Sequence, residues 1–162
     1  FATARNDVLT YSTPTLSSDV TIAGPIQADL VASLSTTDAD FVVKVIDQFP
    51  DDAPGKLAGY QMLLRAEILR GRYRYSYMNP KPFSVGEKEK VSYTLPDVLR
   101  TFKKGHKLVV QVQSSWFPLV DRNPQKFVNV YQASMADFQK CTVEISHSPD
   151  AASRIRVGVL EK

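Results

Sequence analysis

Apolar and polar residues alternate with a period of two along most of this chain. From Val20 to Leu34 the apolar residues Val20, Ile22, Ile26, Ala28, Leu30, Ala32 and Leu34 take even positions, with Thr21, Gln27, Asp29 and Ser33 between them. Successive strand side chains point to opposite faces, so this is one strand, or two joined at Gly24-Pro25, with one buried face. Phe41–Asp47 is β-branched and nearly continuous, which predicts a central strand. Its expected partner is Gln61–Arg70, where Met62, Leu64, Ala66 and Ile68 alternate with Leu63, Arg65, Glu67 and Leu69. Between the two lies Pro50–Gly55, dense in turn formers. Val91–Leu95, Leu108–Gln113, Cys141–Ile145 and Ile155–Val159 repeat the alternation. Counting Val8–Tyr11, about nine strands are predicted, separated by turn signals. That spacing indicates an all-β sandwich or barrel. Helix is expected only as one or two short turns, at Pro96–Arg100 and at Ala133–Gln139. Tyr77–Val85, interrupted by Pro80 and Pro82, reads as an ordered surface loop.

The chain has 162 residues, the size of one ordinary domain. Its 43% hydrophobic and 10% aromatic content is enough for a core built without metal or disulfides. A net charge of +3 is too mild to imply a polyanion partner. One cysteine, Cys141, cannot form an internal disulfide or a thiolate zinc cage; beside Val143 and Ile145 it reads as a buried strand thiol. No apolar run approaches the roughly 20 residues of a membrane span. The first residue is Phe1 rather than Met, with no visible signal peptide, so a piece of something longer is expected.

No constellation here makes an active site by itself. A serine triad needs a nucleophile, a base and an orienting acid. The two histidines stand apart, His106 in a turn before a strand and His147 in a loop, and no Gly-x-Ser-x-Gly elbow occurs. Asp38, Asp40, Asp47, Asp51 and Asp52 invite a calcium reading, but EF-hand spacing is absent and turns favour Asp anyway. Neither a metal nor a cofactor is therefore expected. Arg70–Tyr77 interleaves arginines with tyrosines. In an extended strand Arg70, Arg72 and Arg74 share one face and Tyr73, Tyr75 and Tyr77 the other. A nucleic-acid platform wants both on one surface, so a strand with a packed tyrosine face is the expectation. Neither nucleic acid nor membrane is an expected partner.

The stretch Gln111–Pro124 runs from an alternating strand into Trp116, Phe117, Pro118 and the turn Asp121-Arg122-Asn123-Pro124. Adjacent side chains point oppositely, so one of Trp116 and Phe117 is expected to pack inward and the other to reach a neighbour. Arg122 has three candidate partners: Asp121, Asp38 or Asp40. Trp116, Phe117, Asp121, Arg122, Asn123, Asp38 and Asp40 are thus candidates for a structural clamp or a docking loop.

Six motifs occur in order: Arg5-Asn-Asp-Val-Leu-Thr-Tyr11, Asp19-Val-Thr-Ile-Ala-Gly24, Thr37-Asp-Ala-Asp-Phe41, Lys44-Val-Ile-Asp47, Gly105-His-Lys107 and Gln111–Pro124. Together they closely resemble the C-terminal domain of the X-prolyl dipeptidyl-peptidase, cocaine esterase, α-amino acid ester hydrolase and glutaryl-acylase group of serine hydrolases. The resemblance implies a jelly-roll β-sandwich of the galactose-binding-like type. It also implies an upstream α/β-hydrolase domain carrying the Ser-Asp-His triad, and acyl transfer to water through an acyl-enzyme. No catalytic residue carries over to this chain. The implied role is to brace the hydrolase domain and help wall its cleft, with homo-oligomer contacts in some relatives. On this reading residues 1–18 are a lead-in, partly paired through Val8–Tyr11, and 19–162 form the sandwich. The alternative is an autonomous carbohydrate-binding module, since a fold does not fix a function.

Overall fold

The structure is a computed structural model that describes residues 5–161. Residues 1–4 of the expected lead-in lie outside the described residues. Eight strands are present among them: β1 (Val8–Ser12), β2 (Val20–Leu34), β3 (Asp40–Gln48), β4 (Gln61–Arg70), β5 (Glu89–Phe102), β6 (Lys107–Gln113), β7 (Val143–Ile145) and β8 (Arg154–Val159). They form two antiparallel sheets. The first has the order β1-β6-β3-β4. In the second, β5 pairs with one edge of β2, while β7 and β8 share its other edge. The molecule is an all-β sandwich, as its periodicity predicts.

Period two places the core. Ile22, Ile26, Ala28, Leu30, Ala32 and Leu34 of β2 face Phe41, Val43 and Val45 of β3, with Val91 and Leu95 of β5 beside them, all buried in one cluster. Burying each large aliphatic side chain contributes about 1.5–3 kcal/mol. β3 lies between β6 and β4, and Val42 and Ile46 on its other face are buried too. That double burial is why its sequence reads as continuous rather than alternating.

β2 is one strand, not two. It carries a register shift between Gly24 and Ile26, opposite a gap in the β5 register between Leu95 and Val98. Gly24 takes φ +85°, a conformation costly to other residues. The bulge takes Pro25 on one strand and Pro96 on the other, where neither interrupts a regular ladder. This corrects the helical turn expected at Pro96–Arg100: pairing with β2 keeps that segment extended. The turn expected within Ala133–Gln139 is present, as a 3-10 turn at Met135–Asp137 with a Ser134/Asp137 capping box.

A second correction falls at Arg70–Tyr77. The strand stops at Arg70, and Gly71–Tyr73 is a 3-10 turn. A Cβ on Gly71 would stand 2.6 Å from the Ala39 carbonyl oxygen and 2.7 Å from the Phe83 ring, so the chain passes there only as glycine. The arginines consequently do not share an exposed face. Cys141 also differs from expectation: it precedes β7, half-buried, with the Thr36 hydroxyl donating to its sulfur at 2.9 Å.

Candidate functional site

The loop that leaves β6 and returns as β7 spans residues 114–142 and holds only two 3-10 turns. So long a segment stays fixed only if something anchors its backbone. The anchor is a buried charge network at the start of β3. Asp38 is fully buried. Its Oδ2 accepts from Arg72 Nη2 at 2.6 Å and Nε at 2.8 Å, and its Oδ1 accepts from the Arg72 amide at 3.1 Å. Asn123 Nδ2 donates to Asp38 at 3.0 Å and to Asp40 at 2.8 Å, bridging the two carboxylates. Arg70 Nε reaches Asp40 at 3.2 Å. Arg72 then crosses to the loop, donating to the Val128 carbonyl at 2.6 Å, with its guanidinium 4.9 Å from the centre of the Phe127 ring. The Phe127 amide donates to the Thr37 hydroxyl, and Gln139 bonds back to Pro124 and Gln125.

The cations that clamp Asp38 and Asp40 are therefore Arg72 and Arg70, not Arg122. Their signal lay in matched spacing. Asp40 pairs with Arg70 at the end of the β3–β4 register, and just beyond it, where the chain has turned at Gly71, the Asp38 carboxylate takes the Arg72 guanidinium. Arg122 instead lies over two rings, 5.5 Å from the centre of Phe117 and 5.7 Å from that of Phe138. Asp121 is exposed, and its carbonyl receives Arg70 at 3.4 Å. Trp116 is half-buried against Lys44, whose ammonium sits 5.0 Å from the ring centre. Phe117 turns outward and is 65% exposed. Leu119, Tyr131 and Met135 are exposed still further, at 68%, 89% and 78%. The network thus holds a loop that offers large apolar side chains to solvent.

Burial is the largest influence on Asp40 and raises its pKa, outweighing the lowering by Asn123 and Arg70. A folded pKa above the unfolded value of 3.8 means that ionising Asp40 costs the native state stability. Asp40→Asn is expected to raise the unfolding free energy at neutral pH by up to about 1 kcal/mol. The gain should vanish as pH falls below the unfolded value, where the carboxyl is protonated in both states. Urea titrations at about pH 3 and pH 7 check it; a loss at neutral pH would mean that the Arg70 pair outweighs desolvation.

A second buried acid, Asp47, holds Arg100 at 2.6 Å and His106 Nδ1 at 2.7 Å. This resembles two members of a triad, but among the described residues no hydroxyl bonds the His106 ring, which packs 4.5 Å from Phe49. The pair ties β3, β5 and the turn before β6 together.

Residues 1–145 match the family described as the X-Pro dipeptidyl-peptidase C-terminal non-catalytic domain. The chain belongs to this family. It is 32% identical over 158 residues to the cocaine esterase of Rhodococcus sp. (strain MB1 Bresler), across 98% of this chain and 26% of the esterase. A crystal structure of an aminopeptidase from a marine sediment Thaumarchaeota archaeon superposes with TM-score 0.95 at 42% identity, over 98% of this chain and 26% of the other. A selenomethionine-labelled α-amino acid ester hydrolase gives TM-score 0.94, also at 42% identity, over 96% and 26%. The C-terminal-domain resemblance drawn from the six motifs is thereby established. The chain spans about a quarter of the length of these relatives. Within those relatives it corresponds to one domain of a larger polypeptide, and the matching family is described as non-catalytic.

Proposed function

We propose that this domain braces an upstream α/β-hydrolase domain of the same polypeptide and helps wall its active-site cleft, docking through the loop Trp116–Pro124 and the neighbouring turns. The observation that carries this reading is the pairing of a rigid anchor with an apolar surface. Phe117, Leu119, Tyr131 and Met135 project from a loop whose backbone is tied to a buried Asp38–Arg72 pair. Large exposed apolar groups on an ordered support are typical of a covered surface. The relatives are named as an esterase, an aminopeptidase and an ester hydrolase, which supports reading the whole protein as a hydrolase of ester or peptide bonds. The catalytic triad would stand on the upstream domain.

The test is association of this chain with the separately produced upstream part. Phe117→Ser combined with Leu119→Ser is expected to weaken it at least about tenfold, roughly 1.4 kcal/mol. Leu99→Ser, which changes an exposed side chain on β5, should leave it unchanged. The reverse pattern would put the docking surface on the other sheet.

A further inference from the structure

Where β4 and β5 approach, the two sheets part around a cleft of about 520 Å³. Tyr73, Tyr75, Tyr77 and Tyr93 line it, together with Glu67. The 3-10 turn at Gly71–Tyr73 gathers these rings, which a continuous strand would have spread along one face. Tyr73 and Tyr77 stack with centroids 5.6 Å apart. Tyr77 is three-quarters exposed and forms the rim.

Glu67 is the anomaly of this cleft. It is half-buried, and its Oε1 accepts from the Ile68 amide at 2.8 Å. Among the described residues no cation pairs with it. The other carboxylates withdrawn from solvent each have one, from Asp38 with Arg72 to Asp29 with Arg156. Arg74, the cation in the cleft wall, is already taken: it bonds Glu89 at 2.6 Å and the carbonyls of Gly71, Lys81 and Pro82. Glu67 does act on the cleft. Burial first, and then the Glu67 charge, push the Tyr93 hydroxyl above its ordinary range.

An unpaired carboxylate in a half-desolvated site gains from an opposite charge. Tyrosine ring faces attract the same charge through their quadrupole. The geometry points to this cleft as a binding site for a small organic cation, an alkylammonium or guanidinium group held by Glu67 among the tyrosine rings. A neutral sugar would use the rings and the hydroxyls of Ser92 and Thr94, and would have no need of the charge. The inference does not depend on the docking reading.

Calorimetric titration of the 162-residue chain with choline, with its neutral isostere 3,3-dimethylbutanol, and with galactose separates these cases. Choline is expected to bind saturably with a dissociation constant on the order of 1 mM, and the isostere at least about tenfold more weakly. Glu67→Gln should cost choline at least about fivefold in affinity. Tyr77→Ala, at the exposed rim, should weaken it without moving the thermal midpoint. Equal affinity for choline and the isostere overturns the proposal, as does choline binding that Glu67→Gln leaves intact or the absence of saturation up to about 100 mM. Galactose binding indifferent to Glu67→Gln would assign the cleft to neutral sugars instead.

Discussion

In urea unfolding, Arg72→Ala is expected to cost about 3–5 kcal/mol, because it strands a fully buried carboxylate. Asp38 would keep the backbone amide of residue 72 and Asn123 Nδ2, and would lose both guanidinium contacts. A domain of this size has about 5–15 kcal/mol in total, so the midpoint should fall steeply. The loop is expected to loosen at the same time, since Val128 and Lys126 lose their donors. Limited proteolysis within 124–139 reads that second effect. Adding Asp38→Asn to Arg72→Ala should recover part of the loss by removing the orphaned charge, and that recovery distinguishes electrostatics from lost packing. A cost below about 1 kcal/mol for Arg72→Ala would mean that water reaches the pair and screens it.

The same network shows what a sequence discloses and what it withholds. Strand positions follow from period two where one face is buried, as in β2, and from a continuous β-branched run where both are, as in β3. The outward Phe117 beside a half-buried Trp116 matches the expectation in outcome but not in cause, because β6 ends at Gln113 and both residues lie in the loop. Proline's local preference argues against the extension of β5 through Pro96. Only the partner strand reverses that, because Pro25 and Pro96 fall together in the bulge. Asp38 and Asp40 stand out as candidates, but their cations depend on which strand pairs with β3 and in which register. Asp-x-Asp and Arg-x-Arg at matched spacing name each other only when the β3–β4 register is known. Asn123 is harder still. Its side chain works as a bridge between two carboxylates, and nothing in the turn Asp121–Pro124 marks it out from its neighbours. The Glu67 cleft depends on the strand stopping at Arg70 and turning at Gly71, where the Ala39 carbonyl lies 2.6 Å from where a methyl would be.

Phe41→Ala is the second large effect, expected at about 3–5 kcal/mol for a fully buried aromatic truncated to a methyl. Phe41 is 1% exposed on the inner face of β3, with the Phe83 ring centred 5.9 Å away. Its carbonyl also receives the Tyr93 hydroxyl at 2.9 Å, linking the two sheets. Neighbours relax only partly into such a void, so the cost includes the cavity as well as lost burial. Leu63→Ala, half-exposed on the edge strand β4, should stay within about 0.5 kcal/mol under the same urea titration. A Phe41→Ala cost no larger than that of Leu63→Ala would mean that the core closes over the gap. Gly71→Ala sharpens the argument, because the added methyl would lie 2.9 Å from the Phe41 ring. If that ring were the limiting contact, Phe41→Ala would rescue Gly71→Ala. The tighter contacts are the Ala39 carbonyl oxygen and the Phe83 ring, and the first is backbone held in the turn before β3. Combining the two changes is therefore expected to leave most of the Gly71→Ala cost in place, which locates the constraint on residue 71 in the main chain beside Asp38 rather than in the packing of Phe41.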